Sequence, residues 1–223
     1  MGWRIGLIDS GADGVPVVAA ARFGADGGRG AAGDDPTGHG TRIAHVIAQG
    51  RPGLGFVLAQ VFGSGQPTSA AAIAAALDWC RGEGANLLHL SLGLAADRAP
   101  LAAAVARAAA AGCLVVAATP ARGPAVYPAA YEGVIRATGD ARCAADEISH
   151  LATATFGGCV RTGAPGPGGQ GASVGAAAVS RALVGWVAPG SGYGEAVRAL
   201  AARARYDGPE RRGPATPDDG GSP

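Results

Sequence analysis

Short apolar runs alternate along this chain with longer stretches of helical period. Trp3 to Ile8 is almost wholly apolar and closes on Asp9-Ser10-Gly11, which predicts a buried strand with an acid at its carboxyl end. Gly55 to Val61, Ala85 to Leu92, Cys113 to Ala118 and Gly133 to Thr138 repeat the pattern. A weaker apolar patch spans Val15 to Ala21, and short strands are expected at Ile148 to Thr153 and Thr155 to Arg161. Between these runs, His39 opens a stretch periodic in Ile43, Ala44, Val46 and Ile47. Thr68 or Ser69 caps a helix running to about Gly82, and Pro100 starts another that Gly112 stops. Further helices are predicted from the Ser173 region to Val187 and over Gly194 to Arg205. Strand and helix in this alternation predict an α/β domain built on a mostly parallel, doubly wound sheet. The pattern assigns residues 1–205 to one domain and predicts a disordered Pro-, Gly- and Asp-rich tail over 206–223.

Composition narrows the function classes. A chain of 223 residues holds one large α/β core. With a net charge of +1 it carries no electrostatic footprint of nucleic-acid binding. All 18 basic residues are arginine, a bias in keeping with the heavy Ala and Gly content. Cys80, Cys113, Cys143 and Cys159 form no C-x-x-C pair and lie near no histidine at ligand spacing, so neither zinc nor another metal is expected. They read as reduced, buried small hydrophobes. No stretch has the length and apolarity of a membrane span, and no signal segment precedes Trp3, so a soluble cytoplasmic protein is expected.

Three polar residues stand at the ends of predicted elements: Asp9 after a strand, His39 and Ser173 at the start of helices. Each has a plain structural reading. Asp9 serves as a turn former, and Ser173 as a helix N-cap. His39 lies between two glycines, which suits an accessible residue better than a core filler. His45 lacks metal-ligand spacing to His39 and reads as structural or surface. Together the three supply what nucleophilic catalysis needs: a hydroxyl at a helix N-terminus, an imidazole to take its proton, and a carboxylate to orient the imidazole. The order Asp, His, Ser is one of the orders in which such triads occur.

Several segments in the same order resemble the subtilisin-like serine protease family. Ile8-Asp9-Ser10-Gly11 is similar to its aspartate motif, Gly38-His39-Gly40-Thr41-Arg42-Ile43-Ala44 to its histidine motif, and Gly171-Ala172-Ser173-Val174-Gly175-Ala176 to its nucleophile motif. Leu90-Ser91-Leu92-Gly93 resembles the strand that pairs with extended substrate. Val115-Val116-Ala117-Ala118 resembles the strand before the oxyanion segment, and Tyr127-Pro128-Ala129 with Val134-Ile135 resembles the stretch after that segment. The resemblance spans roughly Trp3 to Trp186 and implies a three-layer subtilisin-like fold. It also implies an Asp9–His39–Ser173 triad, a peptide or protein substrate bound along Leu90 to Gly93, and no cofactor.

The chain departs from the family pattern where that pattern has an oxyanion-binding asparagine. Here the run is Ala118-Thr119-Pro120-Ala121-Arg122-Gly123, and the chain's one asparagine, Asn86, lies in another strand. In subtilisin itself, losing this donor costs roughly 10²–10³ in kcat. The Ser173 backbone N–H remains, and Thr119, Arg122 or Gln170 is a candidate replacement. Ala172 stands where the family usually has Thr, and Ala177 where it has Pro. The short chain, beginning close to Asp9, implies an intracellular enzyme of restricted specificity, such as a leader peptidase whose substrate a partner protein presents. The alternative is a catalytically silent protein that kept the peptide groove.

Overall fold

The computed structural model describes residues 2–63, 68–161 and 171–210. Among these residues, one sheet contains ten strands. They are β1 (Arg4–Asp9), β2 (Val17–Phe23), β3 (Arg29–Gly30), β4 (Gly55–Gln60), β5 (Leu87–Leu90), β6 (Leu114–Ala118), β7 (Val134–Gly139), β8 (Ile148–Ala152), β9 (Thr155–Gly158) and β10 (Tyr206–Asp207). The helices are α1 (His39–Ala48), α2 (Ala70–Gly82), α3 (Ala99–Ala110), α4 (Ala172–Trp186) and α5 (Tyr193–Arg203). The strand order is β10-β8-β9-β7-β6-β5-β1-β4-β2-β3. Pairing is parallel except between β2 and β3 and between β8 and β9.

Successive side chains of a strand point to opposite faces, and here both faces are covered. Ile5 and Leu7 of β1 enter a core shared with Ile43 and Ile47 of α1 and Val179 and Leu183 of α4. Ile8 enters the opposite core with Ile73 and Leu77 of α2 and Leu101 and Val105 of α3. The central strands therefore read as unbroken apolar runs, and the three-layer α/β expectation matches the structure. β1 has β4 on one side and β5 on the other. On the β5 side the chain continues outward through β6 and β7, whereas on the other side β4 returns between β1 and β2.

Two helices meet the carboxyl edge of the sheet at their first turns, and glycine permits both contacts. A Cβ on Gly40 of α1 would overlap the Gly11 carbonyl oxygen, just beyond β1. A Cβ on Gly175 of α4 would overlap the Thr138 carbonyl oxygen of β7. The first turns of α1 and α4 thus rest directly on the backbone at the sheet's carboxyl edge.

The remaining differences from the sequence reading are local. Two-residue strands such as β3 and β10 carry no periodicity to detect. Within the tail expected from Tyr206, Tyr206–Asp207 pair with Ser149 and His150 of β8. The Arg142 guanidinium covers the Tyr206 ring at 4.9 Å and donates to the Gly208 carbonyl at 2.8 Å. Residues 211–223 lie outside the described residues.

Substituting Gly175→Ala should destabilise the fold by about 1–3 kcal/mol, the usual cost of overpacking. Gly30→Ala, which meets open space, should change stability by less than about 0.5 kcal/mol. Urea denaturation of both variants checks this; equal stabilities would contradict the close approach at α4.

Candidate active site

Asp9 ends β1 with its side chain 1% exposed. Its Oδ1 accepts from the Ser10 amide at 2.8 Å and the Ser10 hydroxyl at 3.2 Å, and it lies 2.7 Å from His39 Nδ1. Asp9 Oδ2 is buried with no hydrogen-bond partner among the described residues, so compensation of this carboxylate falls on Oδ1. A buried carboxylate at this distance makes His39 Nδ1 the protonated ring nitrogen. That leaves Nε2 of the neutral ring as the basic nitrogen. The hydrogen bond to Asp9 raises the His39 pKa above its ordinary 6.5; burial opposes the shift, and the Asp9 and Asp35 charges add to it. The His39 side chain is 37% exposed, open enough to meet a substrate.

The loop carrying His39 is held from beneath by two side chains. Asp35 Oδ1 accepts from the amides of Thr37 and Gly38, and its Oδ2 from the amide and hydroxyl of Thr41. These bonds satisfy N–H groups at the start of α1, whose N-cap, Gly38, has no side chain to do so. Burial would raise the Asp35 pKa, but the hydrogen bonds from Thr41, Ser10 and Thr37 outweigh it and hold the carboxyl at about 2. Buried Gln60, at the end of β4, ties the preceding segment: its amide nitrogen reaches the carbonyls of Ser10, Gly33 and Asp34, and its oxygen accepts from the Gly33 amide. His45 lies on the exposed side of α1, 3.1 Å from the Asp13 carbonyl.

Ser173 lies in the first turn of α4, but it is not the N-cap. Gly171 holds that position, with φ 112°, and no side chain caps the helix. The serine hydroxyl donates instead to the Ser91 carbonyl at 3.4 Å. Among the described residues no hydrogen bond joins Ser173 to His39. Ile8 pairs with Leu90, so Asp9, the last residue of β1, and Ser91, the first beyond β5, stand at the carboxyl ends of neighbouring strands that lie about 4.8 Å apart. The glycines before Gly171, and Gln170 with them, lie outside the described residues.

The segment expected to pair with substrate divides in two. Leu90 is fully buried between Ile8 of β1 and Ala117 of β6, so it belongs to the sheet interior. Ser91, Leu92 and Gly93 run beyond β5, and Leu94 forms a bridge with Tyr127. Thr119 stands at the carboxyl end of β6, half-buried, its amide bonded to the Ala137 carbonyl at 2.8 Å. Arg122 is exposed and lines a groove of about 450 Å³ with Ala121, Gly139, Leu151 and Val160.

Two further residues of the site escape the sequence reading. His89 is fully buried in β5, 2.8 Å from Ser91 Oγ and 2.8 Å from Ser180 Oγ of α4. Burial, aided by the His39 charge, drives its pKa down to about 3, so His89 is neutral. A histidine inside an apolar strand is the available signal. Asp35, six residues before Thr41, is the other, since acids cap helix starts. The cysteines are buried free thiols, and burial pushes those of Cys80, Cys113 and Cys143 up, so these three stay protonated at neutral pH.

No protein-family description and no curated protein sequence matches this chain. Solved structures do. The crystal structure of a lanthipeptide protease superposes with a TM-score of 0.52 at 22% identity, covering 60% of this chain and 47% of that one. The epidermin leader peptide processing serine protease of Staphylococcus aureus superposes with a TM-score of 0.59 at 17% identity, covering 82% of this chain and 64% of that one. The chain thus spans less than two thirds of either protein and shares their α/β fold.

Because the folded Asp35 pKa lies below its ordinary 3.8, its stabilisation is complete above about pH 4 and fades as pH falls toward 2. Urea denaturation from pH 5 to pH 3 should show the wild type losing more stability than Asp35→Asn. Parallel losses would contradict the assignment.

Proposed function

We propose that this chain is a serine endopeptidase that cuts a narrow, dedicated substrate and removes the leader from a ribosomally made precursor peptide. The observation that carries this reading is the 2.7 Å contact between buried Asp9 and half-exposed His39 at the carboxyl edge of the sheet. Asp9 fixes the tautomer and orientation of His39. Rotation of the Ser173 side chain from the Ser91 carbonyl toward His39 Nε2 brings nucleophile and base together. Ser173 Oγ then attacks the scissile carbonyl carbon while His39 accepts its proton. The oxyanion meets the Ser173 N–H, one of the first-turn amides of α4 that have no acceptor within the helix, and the hydroxyl of Thr119. His39 gives the proton to the leaving amine, and water, deprotonated by the same ring, releases the acyl group from Ser173.

The backbone of Ser91, Leu92 and Gly93 takes the substrate as an added strand. Leader removal is the role for which the epidermin protease is named, and it supports the same role here. The family resemblance, in a minimal architecture, also extends to the leader peptidase serving quinohaemoprotein amine dehydrogenase biosynthesis, and a precursor of that kind is a specific candidate substrate. A substrate-presenting partner fits such narrow use. Two observations favour a second reading, a silent peptide-binding protein: the Ser173 hydroxyl is turned onto Ser91, and the oxyanion loop has no asparagine.

Incubation with a diverse peptide library, read by mass spectrometry, separates the two. The enzyme reading predicts cuts in one recurring context, absent with Ser173→Ala and reduced roughly 10²-fold with Thr119→Val at unchanged peptide affinity. Peptides retained but left intact by the wild type would establish the silent binder.

A further inference from the structure

The strongest unexplained feature is the buried polar chain beneath Ser173. Ser180 lies seven residues after Ser173, two turns along the same face of α4. Its hydroxyl is 2.8 Å from His89 Nδ1, and His89 Nε2 is 2.8 Å from the Ser91 hydroxyl. The Ser91 hydroxyl in turn points at the Ser173 carbonyl, at a longer 3.5 Å. His89 and Ser180 are both fully buried.

Donor and acceptor rules allow this chain two directions, and the Ser91–Ser173 contact selects one. A neutral imidazole has one N–H and one lone pair. If the Ser91 hydroxyl donates to the Ser173 carbonyl, its oxygen is free to accept from His89 Nε2–H. Nδ1 then accepts from the Ser180 hydroxyl. Every hydroxyl donates once, and the chain ends on the peptide of the proposed nucleophile. Ser91 is thereby gripped at its side chain while its own carbonyl holds the Ser173 hydroxyl.

We infer that His89 is a positioning residue: through Ser91 it sets the backbone and resting hydroxyl of Ser173 and links the nucleophile to the interior of α4. This rests on the endopeptidase reading, with His39 as the base and His89 never touching substrate. The histidines divide the work by environment. The one against Asp9 gains basicity, and the one sealed inside the sheet stays neutral and directional.

Two measurements on the full chain test it. Ring-¹⁵N histidine NMR should show His89 neutral and protonated at Nε2 from pH 5 to pH 8, shifting toward mixed tautomers in Ser91→Ala. An Nδ1-protonated ring, or titration in that range, would overturn the chain whether or not the protein is a peptidase. Fluorophosphonate labelling of Ser173 should slow about tenfold in His89→Leu, with Tm followed in parallel. Labelling should recover in His89→Gln, whose amide N–H reaches toward Ser91. Wild-type labelling with folded His89→Leu reacting at the same rate would refute the positioning role and leave the peptidase reading intact. No wild-type labelling, with the Nε2 tautomer found, would refute the peptidase reading and the positioning role that rests on it.

Discussion

Two helix starts pressed onto the carboxyl edge of one sheet organise the whole site. The contact of Gly40 with the Gly11 carbonyl seats α1, and that of Gly175 with the Thr138 carbonyl seats α4. No residue with a Cβ fits either place without displacing backbone. The first contact delivers His39 to Asp9, and the second delivers Ser173 to Ser91. Since Asp9 ends β1 and Ser91 directly follows β5, register between these parallel strands sets the spacing of Asp9 and Ser91. The apolar cores on both faces keep that register, because a slip of one residue would turn Leu7 and Ile8 to the wrong sides.

Electrostatics then act on a frame already fixed. The Asp9 carboxylate is withdrawn from solvent and, among the described residues, partnered only at Oδ1, which strengthens its hold on His39. Asp35 and Gln60 saturate the loop beneath α1, so the histidine is aimed by several hydrogen bonds rather than by its own packing. On the other side, the Ser180–His89–Ser91 chain serves α4 and the Ser173 carbonyl. His39 and Ser173 are thus each backed by a hydrogen-bonded network of its own.

Much of this is legible from residue order. The short apolar runs locate the central strands, because strands covered on both faces have no polar side to break the run. The motif glycines around His39 and Ser173 mark where backbone comes close. Propensity makes Ser173 a helix cap, but Gly171 takes the cap, and the hydroxyl bonds across to another element that local pattern does not reveal. The motif draws Leu90 into substrate pairing because it runs continuously through that residue, whereas the sheet absorbs Leu90 between β1 and β6. His89 and Asp35 act through partners 91 and 6 residues away, and such pairings exist only once the chain has folded.

The central claim is that Ser173 is a nucleophile served by His39. The most direct measurement is peptide mapping of the protein after reaction with a fluorophosphonate, as a function of pH. The account predicts a single adduct on Ser173, lost in His39→Ala, with a labelling rate that falls as pH drops through a value above 6.5. An adduct on another serine, or a Ser173 adduct formed equally fast without His39, would contradict it.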